Sequence, residues 1–248
     1  MPAAWLILPT YNEAENIERI VRAALPELAS ASADPHILIV DDGSPDGTGD
    51  IADRLADELA EVEVLHRTAK EGLGRAYLAG FERALGSGAD LVLEMDSDFS
   101  HDPADLPRLI AAASDADLVL GSRYVPGGGV TDWGIFRQLL SRGGSWYARV
   151  VLRVPVRDLT GGFKCFRRAT LEGIDYREMH ADGYGFQIEL TYLAIRAGFK
   201  VREVPIVFRD RQAGTSKMSP RIAVEAVWKV PALRARERRA ALPSPDTP

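Results

Sequence analysis

Short apolar runs alternate with amphipathic stretches through the first half of the chain. Trp5-Leu6-Ile7-Leu8 is a continuous apolar run that stops at Pro9. Ile37-Leu38-Ile39-Val40 is a second, ending in Asp41-Asp42-Gly43, and residues 62–65, 91–93 and 118–120 supply three more strand candidates. Between them, residues 13–28 place Ile17, Ile20, Val21, Ala24, Leu25 and Leu28 at helical spacing. Residues 48–59, 74–85 and 103–113 also read as helices, the last with proline near its start. The order is βαβα. Strands that are apolar at every position, rather than at alternate ones, point to a parallel sheet covered on both faces.

The second half is less regular. Residues 135–151 are amphipathic with interspersed Arg and are expected to be interrupted at Gly143-Gly144. Residues 158–163 read as a glycine-containing turn, 184–197 as a helix stopped by Gly198, and 204–208 as an edge strand that tolerates Pro205. A polar loop is expected over 209–219, a basic amphipathic segment broken by Pro231 over 220–242, and a disordered tail over 243–248. The expected organisation is one domain, 1–219, with a first half over 1–131 and a second over 132–219.

In a parallel sheet, ligands bind beyond the carboxyl ends of the strands. Here those ends carry Pro9-Thr10-Tyr11-Asn12-Glu13, Asp41-Asp42-Gly43-Ser44 and Asp96-Ser97-Asp98. Two carboxylates two residues apart at a strand end can reach one divalent cation, and hard cations share oxygen ligands with phosphates. A D-x-D pair alone is more often a solvated turn; at a buried strand end among other polar ends the balance reverses. Ser100 adds an oxygen ligand or holds a metal-bound water. Of Asp41 and Asp42, one suits turn chemistry and the other suits ribose hydroxyls or a base edge. No G-x-G-x-x-G follows the first strand, which disfavours dinucleotide binding. Arg123, Arg137, Arg142, Arg211 and Lys217 lie in or beside loops. Any one alone is most simply a surface cation; together they suit phosphate groups.

Composition narrows the classes. The chain of 248 residues is 46% hydrophobic and 27% charged, as for an ordinary globular protein, so disorder and coiled coil are poor descriptions. One cysteine, Cys165, permits no intrachain disulfide. The start lacks the basic and long apolar regions of a signal peptide, and no apolar run reaches the ~18 residues of a membrane-spanning helix. A soluble cytoplasmic chain is therefore expected. The net charge of −6 is uneven: residues 1–131 carry 9 Lys+Arg against 24 Asp+Glu, and residues 132–168 carry 8 against 2.

Taken together, these segments resemble family 2 glycosyltransferases of GT-A fold, and within them the polyprenol-phosphate (dolichol-phosphate) mannose synthases. The resemblance rests on residues 8–16, 40–48 and 95–101, then Gly121-Ser122-Arg123-Tyr124, Ser141-Arg142-Gly143, residues 158–163, Gly185-Phe186-Gln187-Ile188-Glu189 and residues 211–217. It implies a Rossmann-like, mostly parallel sheet flanked by helices. It further implies GDP-mannose as donor, polyprenyl phosphate as acceptor and a divalent cation, Mg²⁺ or Mn²⁺. Matched position by position, Pro9, Tyr11, Glu13, Val40 and Asp42 would hold the nucleotide. Asp96, Ser97, Asp98 and Ser100 would serve the metal and the sugar diphosphate, although relatives often carry Gln or Arg where this chain has Ser100. Arg123, Arg137, Arg211 and Lys217 would contact phosphates, with Asp96, Asp98 and Arg123 as the catalytic set. Many relatives have C-terminal membrane spans. This chain resembles the short type, peripheral on the cytoplasmic face of a membrane and helped by a membrane-anchoring partner or by surface association, with no nucleic-acid partner.

An acceptor phosphate with a second pKa of ~6 is largely anionic at neutral pH and needs no strong general base to attack the anomeric carbon with inversion. No Q-x-x-R-W motif is present. Within residues 132–168, Trp133, Ile135, Phe136, Leu139, Leu140, Trp146, Tyr147, Val150, Val151 and Leu152 accompany Arg at helical spacing, which suits either a membrane-surface helix or a core-facing one. Competing functions are a UDP-sugar-dependent polyprenol-phosphate hexosyltransferase, a nucleotidyltransferase and a non-catalytic binding module. The Pro-Thr-Tyr-Asn-Glu loop after the first strand disfavours the second, and the retained Asp96 and Asp98 disfavour the third.

Overall fold

The computed structural model describes residues 1–174, 176–179, 184–210 and 228–236. A seven-stranded sheet organises them. Its strands are β1 (Ala3–Thr10), β2 (Asp34–Asp41), β3 (Val62–His66), β4 (Leu91–Glu94), β5 (Leu118–Ser122), β7 (Lys164–Arg167) and β8 (Val201–Pro205), in the order β3-β2-β1-β4-β7-β5-β8. A two-stranded sheet pairs β6 (Gly129–Val130) with β9 (Val207–Phe208). All neighbours in the large sheet are parallel except β7, which runs antiparallel to both β4 and β5. The carboxyl ends of β1 to β5 therefore share one edge with the amino end of β7.

β1 is buried on both faces, and alternate residues enter different cores. Ala4, Leu6 and Leu8 pack with Ile17, Ile20, Val21, Ala24 and Leu28 of α1 (Ile17–Ala31), with α2 (Thr48–Glu58) and with α4 (Leu106–Ala112). Trp5 and Ile7 pack on the opposite face with α3 (Leu73–Gly86), α5 (Ile135–Leu152) and α7 (Tyr184–Arg196). A short helix, α6 (Arg168–Gly173), follows β7. Gly80 lets α3 lie close on the sheet: a Cβ there would sit 2.5 Å from Ile7 Cγ2.

Two expectations are corrected. Gly143-Gly144 does not interrupt α5, which is continuous from Ile135 to Leu152. Two glycines inside a helix cost about 1 kcal/mol each relative to alanine, which eighteen residues of helix can absorb. Residues 204–208 are not one strand. Pro205 closes β8 at the sheet edge, and β9 then joins the small sheet. Pro231 is the fourth residue of the described helical stretch 228–236, and whether it breaks a longer helix lies outside the described residues. The expected loop 211–219, most of the basic segment and the tail lie outside the described residues.

Candidate active site

The β1 and β2 loops are stitched together by side chains. Asp41 accepts from Thr10 Oγ1 (3.2 Å), the Ser44 backbone N–H (3.1 Å) and Ser44 Oγ (2.5 Å). Asp46 accepts from the N–H groups of Ala14 and Thr48 and from Thr48 Oγ1 (2.6 Å). The N–H groups of Asn12 and Glu13 donate to Ser44 Oγ and Thr48 Oγ1. Asp41 is thus the turn residue. Asp42, one residue on, is buried and pairs with Arg67, and the backbone of Glu71-Gly72 also donates to it. Burial pushes its carboxyl above the ordinary value, while Arg67 opposes the shift. Sequence reasoning missed Arg67 as the partner of Asp42, because it stands 25 residues away along the chain.

The other predicted nucleotide residues ring this pair of loops. Pro9 is half-buried, and its carbonyl accepts from Ser97 Oγ (3.3 Å), which ties β1 to the D-x-D loop. Val40 is fully buried, so only its backbone faces the loop, where its carbonyl accepts from Thr10 Oγ1. Tyr11 is half-buried with the Lys70 ammonium 3.9 Å from its ring centroid. Glu13 is buried and accepts from Asn16 Nδ2 (2.9 Å).

Beyond β4 the chain turns sharply, with Phe99 in the left-handed region at φ 62° and the Arg19 guanidinium over its ring. Asp98 is buried, and its Oδ1 accepts from the Ser100 N–H (3.0 Å). Asp96 has a side chain 35% exposed. Its backbone N–H donates to His101 Nδ1 (3.3 Å), which places the His101 proton on Nε2. His101 is 1% exposed, stacked on Phe163, and burial holds its pKa down to about 4; it is a neutral buttress of the loop. Ser100 is also buried, and its carbonyl accepts from the Arg209 N–H (3.1 Å).

The D-x-D donor set fits a hard divalent cation. Among the described residues no group of three or more His, Cys, Asp or Glu side chains forms a self-sufficient metal cage. Two carboxylates at a strand end, one of them open to solvent, are what an ion sharing its coordination with a diphosphate requires.

The predicted cations fall in different places. Arg123, just after β5, is 3% exposed. Its Nε and Nη2 donate to the two Asp158 carboxylate oxygens at 2.7 Å each, Nη2 also donates to Thr160 Oγ1 (2.8 Å), and its backbone N–H donates to Asp158. Burial alone would raise the Asp158 carboxyl, but the Arg123 charge and hydrogen bonds hold it below the ordinary range. Glu203 on β8 supports this pair by accepting from the Asp158 and Arg157 N–H groups and from Ser122 Oγ. Arg137 is exposed, stacks 4.2 Å from the Trp133 ring centroid and pairs with Asp210. Arg142 lies over Tyr124. Arg211 and Lys217 lie outside the described residues.

The amino end of β7 brings Gly161-Gly162 to this edge. A Cβ on Gly162 would stand 3.7 Å from Asp96 Oδ1 and 3.5 Å from Gln187 Nε2. Beneath lie Glu94 and Lys164, both fully buried. Burial pushes the Glu94 carboxyl up to about 7 and the Lys164 ammonium down to about 8, each opposed by the other's charge.

A mostly parallel sheet with carboxylates at its carboxyl edge and helices on both faces is the GT-A architecture of sugar-transferring enzymes. Solved glucosyl-3-phosphoglycerate synthase structures from Mycobacterium tuberculosis share the fold. The complex with phosphoglyceric acid superposes with a TM-score of 0.69 at 19% identity, covering 98% of this chain and 82% of that one. The complex with Mn²⁺, UDP-glucose and glycerol 3-phosphate gives 0.68 at 19%, with the same coverage. Residues 5–174 match glycosyl transferase family 2, and the chain belongs to that family; it is a glycosyltransferase. Among curated relatives, the polyprenol monophosphomannose synthase of Mycolicibacterium smegmatis is 50% identical over 91% of this chain and 84% of its own length. The undecaprenyl-phosphate mannosyltransferase of Micrococcus luteus is 47% identical over 90% of each.

Proposed function

We propose that this enzyme transfers mannose from GDP-mannose to a polyprenyl phosphate with inversion, in a reaction that requires a divalent cation. The observation that carries the proposal is the carboxyl edge of the sheet, where Asp42, Asp96 and Asp98 converge within a chain about half identical to polyprenyl-phosphate mannosyltransferases. Asp42 and the Tyr11 loop would receive the nucleoside. Asp96 and Asp98 would hold the cation, with Ser97 and Ser100 shaping the loop around it. Bound there, the cation would supply charge stabilisation to the departing diphosphate. Asp158 fixes the plane of the Arg123 guanidinium, and Arg123 and Arg137 would contact the phosphates. Arg211 and Lys217 are proposed to complete the phosphate contacts. The acceptor phosphate is already anionic near pH 7, so the protein's task is positioning rather than proton abstraction.

The proposed acceptor is a lipid, and α5 offers a surface for it. Ile135, Leu139, Leu140, Trp146 and Val150 are exposed apolar residues on this helix, interleaved with Arg142, Arg149 and Arg153. No helix among the described residues is long and apolar enough to cross a membrane. An apolar face with interleaved arginines suits the headgroup boundary of an anionic bilayer, which supports a peripheral position on the cytoplasmic face. The test is direct. Incubation with GDP-mannose, polyprenyl phosphate and Mg²⁺ or Mn²⁺ should yield an organic-phase mannolipid that chelation abolishes; product formation unaffected by chelator overturns the metal assignment.

A further inference from the structure

Directly under the D-x-D loop lies a polar layer that the transfer chemistry does not itself use. Glu94 and Lys164 face each other across the β4–β7 pairing and are 0% exposed, on the face shared with Val92 and Phe166. Lys164 Nζ donates to the Gln187 carbonyl in the first turn of α7 (2.8 Å). The Gln187 amide lies near enough to Glu94 to favour its charged form. It does so without good hydrogen-bond geometry: both Glu94 carboxylate oxygens, both Gln187 side-chain amide atoms and the Tyr77 hydroxyl are buried and lack a well-formed hydrogen bond among the described residues. Five such atoms in one layer are costly, because each forfeits its hydration. Buried charged groups are rarely the cheapest way to fill a core, since apolar replacements of similar volume are often neutral or better.

The layer joins the three segments that meet at Asp96. Glu94 precedes Asp96 by two residues, Lys164 follows Gly162 by two, and the Gln187 amide stands beside Gly162 and Asp96. We propose that Lys164 is a positioning residue: opposite Glu94 in the β4–β7 ladder and bonded to the Gln187 carbonyl, it locks the Asp96 loop, the Gly161-Gly162 turn and the start of α7 in one register. It acts through Asp96 and touches no substrate. A lysine suits the place because its flexible ammonium donates to the helix carbonyl of Gln187 while carrying a charge opposite in sign to that of Glu94 on the facing strand. The inference rests on the metal-binding role proposed for Asp96 and Asp98.

The test uses the full chain with two variants, Lys164→Met and Glu94→Gln/Lys164→Met. Thermal unfolding, Mn²⁺ binding to the GDP complex by calorimetry, and kcat and KM for the donor are measured for each. The double variant carries no buried charge and is expected to unfold near the wild-type temperature. It should still show metal affinity and kcat lowered roughly 10–100-fold, with donor KM nearly unchanged. A stable double variant with wild-type metal affinity and kcat overturns the proposal, for then the pair only fills space. If the double variant does not fold, Lys164→Met decides: a folded protein with lowered metal affinity supports the positioning role, and wild-type affinity overturns it. Wild-type protein that binds no Mn²⁺ with GDP defeats the metal reading itself, a result distinct from both.

Discussion

Asp158→Asn removes one charge from a buried pair and leaves its shape nearly unchanged. The Asp158 side chain is 0% exposed and its Arg123 partner 3%, with two 2.7 Å hydrogen bonds joining them. Breaking a buried pair from one side costs about 3–5 kcal/mol, because the remaining guanidinium stays buried without its counter-charge. For a chain of this size each kcal/mol shifts the melting temperature by ~2–4 °C, so the variant should melt roughly 6–20 °C lower at pH 7. The pH dependence has a definite sign. Arg123 depresses the folded Asp158 carboxyl below its unfolded value, so the pair's stabilisation is present above about pH 4 and is lost as the pH falls through the folded value. Urea unfolding of wild type and variant, followed by circular dichroism from pH 7 downward, should show a large gap at neutral pH that narrows in acid. An exposed ion pair contributes only about 0–1 kcal/mol. A shift within that range at pH 7 would refute the buried-pair account.

Asp98→Asn should abolish turnover while leaving the melting temperature within a few degrees of wild type, measured by transfer assay and calorimetry; near-normal activity sinks the metal assignment. His101 should titrate near pH 4 in two-dimensional NMR, because burial disfavours its charged form and its Nδ1 already accepts from Asp96. Its folded value lies below the unfolded ~6.5, so it withdraws stability as the pH falls from about 6.5 toward 4, on the order of 3 kcal/mol in all; titration near 6.5 contradicts this. Trp146→Glu, on the exposed face of α5, should cut flotation with anionic liposomes several-fold while leaving the fold intact by circular dichroism; unchanged flotation at low salt rules that face out.

β1, β2, β4 and β5 were legible because both faces are covered, so each contains a continuous apolar run with few competing interpretations; β3, at the sheet edge and mostly half-buried, showed itself through Val62, Val64 and Leu65 around Glu63. β7 was not legible. Its four residues, Lys164 to Arg167, carry a charge at each end. Lys164 is buried only because Glu94 stands opposite, and Arg167 is absorbed by the carbonyls of Ala113, Ser114 and Ala116 at the end of α4. No local periodicity reveals an antiparallel strand inserted into a parallel sheet. The division of labour between Asp41 and Asp42 could be framed from turn chemistry, but which did which depended on Arg67 and the Glu71-Gly72 backbone. Asp96 and Asp98 were visible because they follow a buried strand. The Arg123–Asp158 pair and the Glu94–Lys164–Gln187 layer were not, since their members are separated by 23 residues or more and meet only through the sheet.

The most direct measurement supplies GDP-mannose and UDP-glucose in parallel incubations with polyprenyl phosphate and Mg²⁺, extracts the organic phase and identifies the sugar after mild acid release. Mannose transferred from GDP-mannose, with negligible glucose from UDP-glucose, is the predicted result. Glucose transfer that matches or exceeds it, or no lipid-linked sugar from either donor, would contradict the proposed function.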